Sequence, residues 1–155
     1  MEFFQFSTPI GVIALAADEE KQAITRLYLP NSPTPRLMPR ETPLLARGRI
    51  QLLEYLSGMR RDFDLPLAPE GTPFLQQVWT ELQRIPWGET RSYRELAVAV
   101  GCPRGFRAVG MANNRNPIPI LIPCHRVVCA DGALGGYTGG PELKKALLRL
   151  EGHSF

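Results

Sequence analysis

The sequence has no apolar run that approaches the length of about 18 residues that a membrane-spanning helix needs. Residues 1–4 do not form a basic segment followed by an apolar one, so we predict no signal peptide. The chain has only three cysteines, an odd number that argues against a disulfide framework. These absences together favour a cytoplasmic protein with free thiols, because disulfides are rare in that reducing compartment.

The excess of positive charge is small over the whole chain, and it is unevenly distributed. The formal net charge is +3. Residues 1–69 are balanced, with eight basic and eight acidic side chains. Residues 84–126 contain seven arginines and only two acidic residues, both glutamates. This basic segment favours a polyanionic partner such as nucleic acid, although a solvated basic surface would give the same count.

The first half of the chain predicts a small antiparallel sheet followed by a helix. Strand-like segments separated by turn signals lie at residues 3–6, 12–15 and 24–29. Thr42-Pro43 is typical of a helix N-cap with proline at the first helical position. We therefore expect an α+β protein with an N-terminal domain over residues 1–66.

The second half predicts a helical domain over residues 72–155. A capping box that begins with Ser92 starts one helix, and Gly101 ends it. A second short helix is predicted over residues 103–113, which completes a helix-turn-helix pattern typical of DNA-binding proteins. A last helix is predicted over residues 141–150, with an inward face of Leu143, Ala146, Leu147 and Leu150.

Between these helices, a cysteine and a histidine stand next to each other as Cys124-His125. A metal site that includes Cys129 is one interpretation, but adjacent residues point in different directions and zinc needs three or four well-spaced ligands, so we expect no metal. A second interpretation is nucleophilic catalysis, in which His125 takes the proton of a thiol whose ordinary pKa is about 8.5. A third is that Cys124 is a buried small apolar residue. The Cys124-His125 pair alone does not decide between nucleophilic catalysis and a buried apolar cysteine.

The wider segment decides between them. Residues 116–128 read Asn-Pro-Ile-Pro-Ile-Leu-Ile-Pro-Cys-His-Arg-Val-Val and resemble the active-site signature of the O6-alkylguanine-DNA alkyltransferases. The other segments that match this family, in its order and spacing, are Ser92-Tyr93, Arg107-Ala108-Val109-Gly110, residues 135–140 and Glu151-Gly152-His153. The resemblance covers residues 72–153, whereas the N-terminal domain is similar to the family only in shape.

The resemblance implies direct-reversal repair of double-stranded DNA that carries O6-alkylguanine. The alkyl group would pass irreversibly to Cys124 after the base has flipped out through the minor groove. His125 would be the base, acting through an ordered water, and Glu151 would hydrogen-bond its imidazole. Tyr93 would donate to N3 of the departing guanine, and Asn116 would brace the active-site turn. The resemblance implies no cofactor, and we expect a monomer.

The resemblance also implies the fold and the binding residues. The N-terminal lobe would be ribonuclease-H-like, and the C-terminal lobe would be winged-helix-like with the helix-turn-helix. The residues expected to line the guanine pocket are Val127, Tyr137, Thr138, Pro119 and Gly135. Arg107 would fill the gap that the flipped base leaves, and small Ala108 and Gly110 would let the helix enter a groove only about 6 Å wide. Further DNA contacts are expected from Ser92, Arg94 and Arg115.

Several features differ from the family or from its other functions. Residues 1–101 contain no cysteine and no histidine, so the zinc site that some family members carry in this region is absent. Gly136 stands where relatives have an asparagine. The alternative functions are a non-enzymatic alkyltransferase-like protein that binds lesions, which would lack Cys124, and a winged-helix regulator. Cys102 and Cys129 are expected to be structural or incidental.

The size of the pocket follows from two of its expected residues. Gly135 has no side chain, and Pro119 matches a position where, in family members that accept benzyl adducts, a proline packs against the ring. We therefore expect a roomy pocket that accepts O6-benzylguanine as well as O6-methylguanine.

Overall fold

The computed structural model describes all 155 residues, and the chain divides into two compact units, residues 1–70 and residues 71–155. The fold is mixed, with a small antiparallel sheet in the first unit and five α-helices over the two. None of these helices combines the length and the apolar character that crossing a membrane requires.

The first unit is a three-stranded antiparallel meander with one helix. Its elements are β1 (Glu2–Thr8), β2 (Gly11–Asp18), β3 (Ala23–Tyr28) and α1 (Pro43–Leu56), and the strand order is β1-β2-β3. The Thr42 side chain caps α1 by accepting from the backbone N of Leu45 at 3.3 Å. A Cβ at Gly48 would lie 2.6 Å from Cδ1 of Leu15, so glycine here lets the helix approach the central strand. The predicted meander and its capped helix are confirmed.

The second unit contains four α-helices and two very short strands. In chain order they are α2 (Pro73–Leu82), β4 (Arg91–Ser92), α3 (Tyr93–Ala99), α4 (Phe106–Asn114), a 3-10 helix (Cys124–Arg126), β5 (Val127–Val128) and α5 (Pro141–Leu150). The capping box of α3 is present, because the Ser92 hydroxyl accepts from the backbone N of Glu95 and the Glu95 carboxylate accepts from the backbone N of Ser92.

The segment that follows Cys124 lies next to the start of α3, and a hydrogen bond ties α2 to α4. Parallel strands β4 and β5 pair Arg91 with Val127 and Ser92 with Val128, so the start of α3 lies beside the residues that follow the 3-10 helix. The indole of Trp79 in α2 donates to the carbonyl of Ala112 in α4 at 2.9 Å. The core of this unit therefore positions α3, α4 and the Cys124 segment together.

Two details of the predicted helices are wrong. Helix α4 begins at Phe106, later than predicted, because residues 102–105 form a turn in which the backbone N of Gly105 donates to the carbonyl of Cys102 at 2.8 Å. On α5, Ala146 is exposed, and the buried residues are Lys144, Leu147 and Leu148. The inward face is therefore rotated toward Lys144, whose ammonium finds backbone acceptors inside the unit.

Candidate active site

A buried turn leads into the cysteine, and Asn116 holds it. The Asn116 amide donates to the carbonyl of Ile122 at 2.7 Å, and its oxygen accepts from the backbone N of Ile118 at 3.0 Å. Within this turn Ile120 has φ 73°, a backbone conformation that is strained for a β-branched residue. The two hydrogen bonds of Asn116 offset that strain and fix the backbone that precedes Cys124.

Cys124 opens the 3-10 helix and is only 3% exposed. Burial raises the pKa of its thiol to about 11, although the Asn116 side chain and the charge of Lys144 both lower it. The resting protein therefore holds a neutral thiol at neutral pH, and chemistry at this sulfur requires a base and nearby positive charge.

His125 follows Cys124 in the sequence and is completely buried. Nε2 of His125 lies 2.9 Å from Oε2 of Glu151, the residue that follows α5. Arg126 binds the same carboxylate, with its Nε 2.8 Å from Oε1 and its Nη2 2.9 Å from Oε2. Nη1 of Arg126 donates to the carbonyl of Ile85 at 2.7 Å. One buried carboxylate thus orients both the histidine and the arginine.

This arrangement determines which ring nitrogen of His125 can accept a proton. A carboxylate paired with arginine is an acceptor only, so Nε2 must carry the hydrogen and donate it to Glu151. In the neutral imidazole the lone pair then belongs to Nδ1. Burial lowers the pKa of His125, although the hydrogen bond and the charge of Glu151 raise it. The imidazole is therefore neutral and able to act as a base at neutral pH.

Tyr93, the first residue of α3, lies at the edge of the site. Its hydroxyl donates to the carbonyl of Gly136 at 3.4 Å. Burial raises its pKa, and the neighbouring thiols of Cys129 and Cys124 raise it further, so the phenol keeps its proton. Gly135 has φ 76°, and a Cβ there would lie 3.0 Å from the Tyr93 hydroxyl oxygen. Gly135 is therefore needed for the close approach of Tyr93, a role that the sequence interpretation did not include.

The other residues expected to line the pocket belong to two segments, residues 119–127 and residues 137–138. Val127 and Pro119 are buried, and Tyr137 is half-buried. The Thr138 hydroxyl donates to the carbonyl of Asn114 at 2.9 Å, which ties the loop to the last residue of α4. The structure thus links the pocket loop directly to the helix that was expected to contact DNA.

The expected DNA-binding residues lie mainly on an exposed surface of α3 and α4. Arg94, Arg107, Ala108 and Arg115 are exposed. Gly110 faces inward, where a Cβ would lie 3.7 Å from the Tyr93 ring, and Ser92 is a buried helix cap. The arginines are therefore available for phosphate contacts, whereas Ser92 and Gly110 serve the packing of the helices as well.

Two charged residues of the site were given no role from the sequence. Arg126 stands inside the recognised signature, but an arginine beside a histidine gives no sign that it is buried. Lys144 is 0% exposed, and its Nζ donates to the carbonyls of Val127 at 2.6 Å and Gly136 at 3.1 Å. Lys144 lies three and four residues before Leu147 and Leu148, and this spacing indicates that it shares their inward face of the helix. A lysine is nevertheless normally assigned to the surface.

The cysteines outside the signature differ in their surroundings. Sγ of Cys102 packs at the turn before α4, close to Gly105. Sγ of Cys129 lies near Gly135 and shares the neighbourhood of Tyr93 and Lys144. No group of three or more His, Cys, Asp and Glu side chains lies close enough together to hold a metal ion.

Comparison with known proteins identifies relatives over nearly the whole chain. The DNA-binding domain of 6-O-methylguanine DNA methyltransferase matches residues 73–153. The constitutive methylated-DNA–protein-cysteine methyltransferase of Bacillus subtilis is 46% identical over 156 residues, covering 96% of this chain and 93% of the relative. The enzyme of that name from Methanosarcina acetivorans is 44% identical over 159 residues, covering 98% and 99%.

Solved structures agree with this assignment. The structure of Mycobacterium tuberculosis OGT in complex with DNA has a TM-score of 0.89 and 40% sequence identity, and the match covers 97% of this chain and 92% of that one. The family resemblance of residues 72–153 is confirmed, and it extends to the N-terminal unit. The chain belongs to the 6-O-methylguanine DNA methyltransferase family.

Proposed function

We propose that this protein repairs O6-alkylguanine in double-stranded DNA by moving the alkyl group irreversibly to its own Cys124. It is a methylated-DNA–protein-cysteine methyltransferase, and each molecule acts once. The observation that carries the proposal is the buried Cys124 followed by a histidine whose Nε2 is held by Glu151 at 2.9 Å. The relatives of that name support it, at 46% and 44% identity over nearly their full length.

The transfer begins with the thiol proton. Nδ1 of His125 takes it through an ordered water, and Glu151 stabilises the imidazolium that forms. The sulfur attacks the alkyl carbon in line, so that the S–C bond forms, the C–O6 bond breaks and its electron pair passes to the guanine. Tyr93 donates to N3 and lowers the cost of that charge, and the proton taken from the thiol finally neutralises the purine. Water cannot readily cleave the thioether, so the protein does not turn over.

The substrate base must leave the duplex before this chemistry, because the alkyl group is otherwise out of reach of a protein side chain. Exposed Arg107 on α4 fills the gap that the base leaves. Ala108 and Gly110 allow α4 to enter the narrow minor groove, and Arg94 and Arg115 contact phosphates, while Ser92 fixes the start of α3. The flipped base would lie against the backbone of Val127 and the side chains of Pro119, Tyr137 and Thr138, with Gly135 beside Tyr93.

The remaining parts of the proposal concern architecture and cellular setting. We infer a ribonuclease-H-like lobe over residues 1–66 and a winged-helix-like lobe over residues 72–155. The protein acts as a monomer in the cytoplasm, where Cys124 stays reduced.

The proposal is tested by counting repaired bases for each protein molecule. Duplex DNA with one O6-methylguanine is mixed with increasing amounts of protein, and the restored guanine is measured. We expect one guanine for each molecule and none with Cys124→Ser. Continued turnover would contradict the suicide reaction. Tight binding of the lesion without any restored guanine would instead indicate a lesion-binding protein.

A further inference from the structure

Lys144 is a buried cation whose partners are unusual. Lysine is almost never fully buried unless it is paired, yet Lys144 is 0% exposed and forms no ion pair with a carboxylate. Its neighbour Lys145 is partly exposed and pairs with Glu142 at 3.8 Å. The ammonium of Lys144 is instead held by two backbone carbonyls, those of Val127 and Gly136. Burying a charge that only neutral carbonyls compensate costs free energy, and packing alone does not require that cost.

The two carbonyls belong to two different segments of the site. Val127 directly follows the 3-10 helix that carries Cys124, and Gly136 lies in the loop with Gly135. The carbonyl of Gly136 also accepts from the Tyr93 hydroxyl, and Nζ of Lys144 lies 5.9 Å from the centre of the Tyr93 ring. One ammonium therefore connects the nucleophile's segment, the pocket loop and the residue that is proposed to donate to the guanine.

The charge of Lys144 acts on the reacting groups as well. The titratable groups that face it are Cys124, Cys129, Tyr93 and His125. The other buried cation beside them, Arg126, already forms an ion pair with Glu151. Attack by Cys124 creates negative charge first on the sulfur and then on the purine. A fixed ammonium in a buried site stabilises such charge far better than solvent-exposed charge does.

We propose that Lys144 is a positioning residue for alkyl transfer, which holds the loop at Gly136 against Val127 and presents its positive charge to the Cys124 sulfur as the thiolate forms. The inference rests on the transfer to Cys124 proposed above.

This role has a consequence for the pH dependence of transfer. Burial lowers the pKa of Lys144 to about 8, although the neighbouring thiols raise it. The ammonium is thus present below about pH 8 and is lost above it. Transfer of the thiol proton to the neutral His125 leaves the number of bound protons unchanged, so this step alone would give a level rate above neutral pH until the thiol itself titrates, at a pKa of about 11. A requirement for the ammonium makes the rate level off and then fall on the alkaline side of pH 8 instead.

The test compares Lys144→Met, Lys144→Arg and the control Lys145→Met with wild-type protein. Cys124 is methylated in a single turnover by a saturating amount of duplex DNA that carries O6-methylguanine. Mass spectrometry follows the reaction from about pH 6.5 to about pH 9.5. Melting curves show whether each variant is folded. We expect the wild-type rate to fall above about pH 8, and the Lys145→Met profile to match it. Lys144→Met should be slower by about tenfold or more at neutral pH, without an alkaline fall. Lys144→Arg should lose the alkaline fall because arginine stays charged.

Three results would overturn the inference. The first is a folded Lys144→Met protein with the wild-type rate and profile. The second is a wild-type rate that stays level or rises through the alkaline range. If Lys144→Met does not fold, the third result is a transfer rate that falls equally on the alkaline side of pH 8 in wild-type and Lys144→Arg proteins. A wild-type protein that leaves Cys124 unmethylated would overturn the proposed function itself, and this inference with it.

Discussion

Arg126 and Glu151 form a two-point ion pair inside the second unit, with donor–acceptor distances of 2.8 and 2.9 Å. Both side chains are almost completely buried, and the same carboxylate orients His125. Removing the arginine leaves a buried carboxylate without its cation. We therefore expect Arg126→Met to lower the free energy of unfolding by about 3–5 kcal/mol. Urea denaturation measures the change.

The control for this prediction is Arg49→Met. Arg49 pairs with Glu41 at a similar distance of 2.9 Å, but both side chains are partly exposed. Its loss should cost no more than about 1 kcal/mol, because solvent screens such a pair. Equal effects of the two substitutions would show that the Arg126–Glu151 pair makes no special contribution to stability.

The buried imidazole of His125 predicts how stability depends on pH. Burial lowers the pKa of His125 in the folded protein, whereas in the unfolded chain it titrates at about 6.5. The unfolded chain therefore binds the proton first as the pH falls. The contribution of this group to stability is complete above about pH 6.5 and decreases as the pH drops further.

The measurement is the free energy of unfolding at several pH values between neutral and about pH 5. His125→Gln should have a weaker dependence on pH than wild-type protein. The control is His153→Gln, which removes the chain's other histidine by the same substitution. A slope that survives in His125→Gln would assign the acid sensitivity to carboxylates instead.

Much of this fold follows from local signals in the sequence. Thr42 and Ser92 each cap a helix as predicted, because a hydroxyl that precedes a helix satisfies backbone N–H groups whatever the tertiary context. The start of α4 was placed too early, because Gly105 provides no side-chain cap and Pro103 resembles a helix start. Local patterns thus predict elements well where a side chain marks the boundary.

The buried charges of the site could not be predicted in the same way. Periodicity assigned Ala146 to the core of α5 and left Lys144 outside it, whereas the structure has the reverse. The reason is that backbone carbonyls of Val127 and Gly136, distant in sequence, satisfy the ammonium. Cys124, His125 and Glu151 were recognised by resemblance, but the link through Arg126 depends on tertiary contacts that no spacing rule reports.

Arg107 provides a test of base flipping. Its side chain is exposed on α4, and the proposed role is to fill the gap that the extruded base leaves. Arg107→Ala should therefore slow transfer from O6-methylguanine in duplex DNA by about tenfold or more, and transfer from the free base much less. Arg104→Ala, at an exposed arginine in the preceding turn, serves as the control for lost charge. Equal slowing on duplex and free base would rule out the gap-filling role.

The pocket predicts which alkyl groups are accepted. Wild-type protein incubated with excess O6-benzylguanine should lose its capacity for methyl transfer, because we expect the ring to pack against Pro119. Gly135→Ala should impair methyl and benzyl transfer alike, since its Cβ would press on the Tyr93 hydroxyl from 3.0 Å. Gly132→Ala shares the positive φ, at 86°, but its Cβ would meet open space, so it controls for backbone strain. Full methyl-transfer capacity after benzylguanine treatment would show that the pocket is closed to bulky groups.

The central claim is that Cys124 receives the alkyl group, and peptide mass spectrometry after reaction with O6-methylguanine duplex tests it most directly. We expect one added methyl group for each protein molecule, on the peptide that contains Cys124. Cys102 and Cys129 should remain unmodified, and their replacement by serine should leave the stoichiometry unchanged. Cys124→Ser should gain no methyl group while it still binds DNA, because the same base cannot usefully ionise a hydroxyl. A methyl group on any other residue, or on none while guanine is restored, would contradict the account.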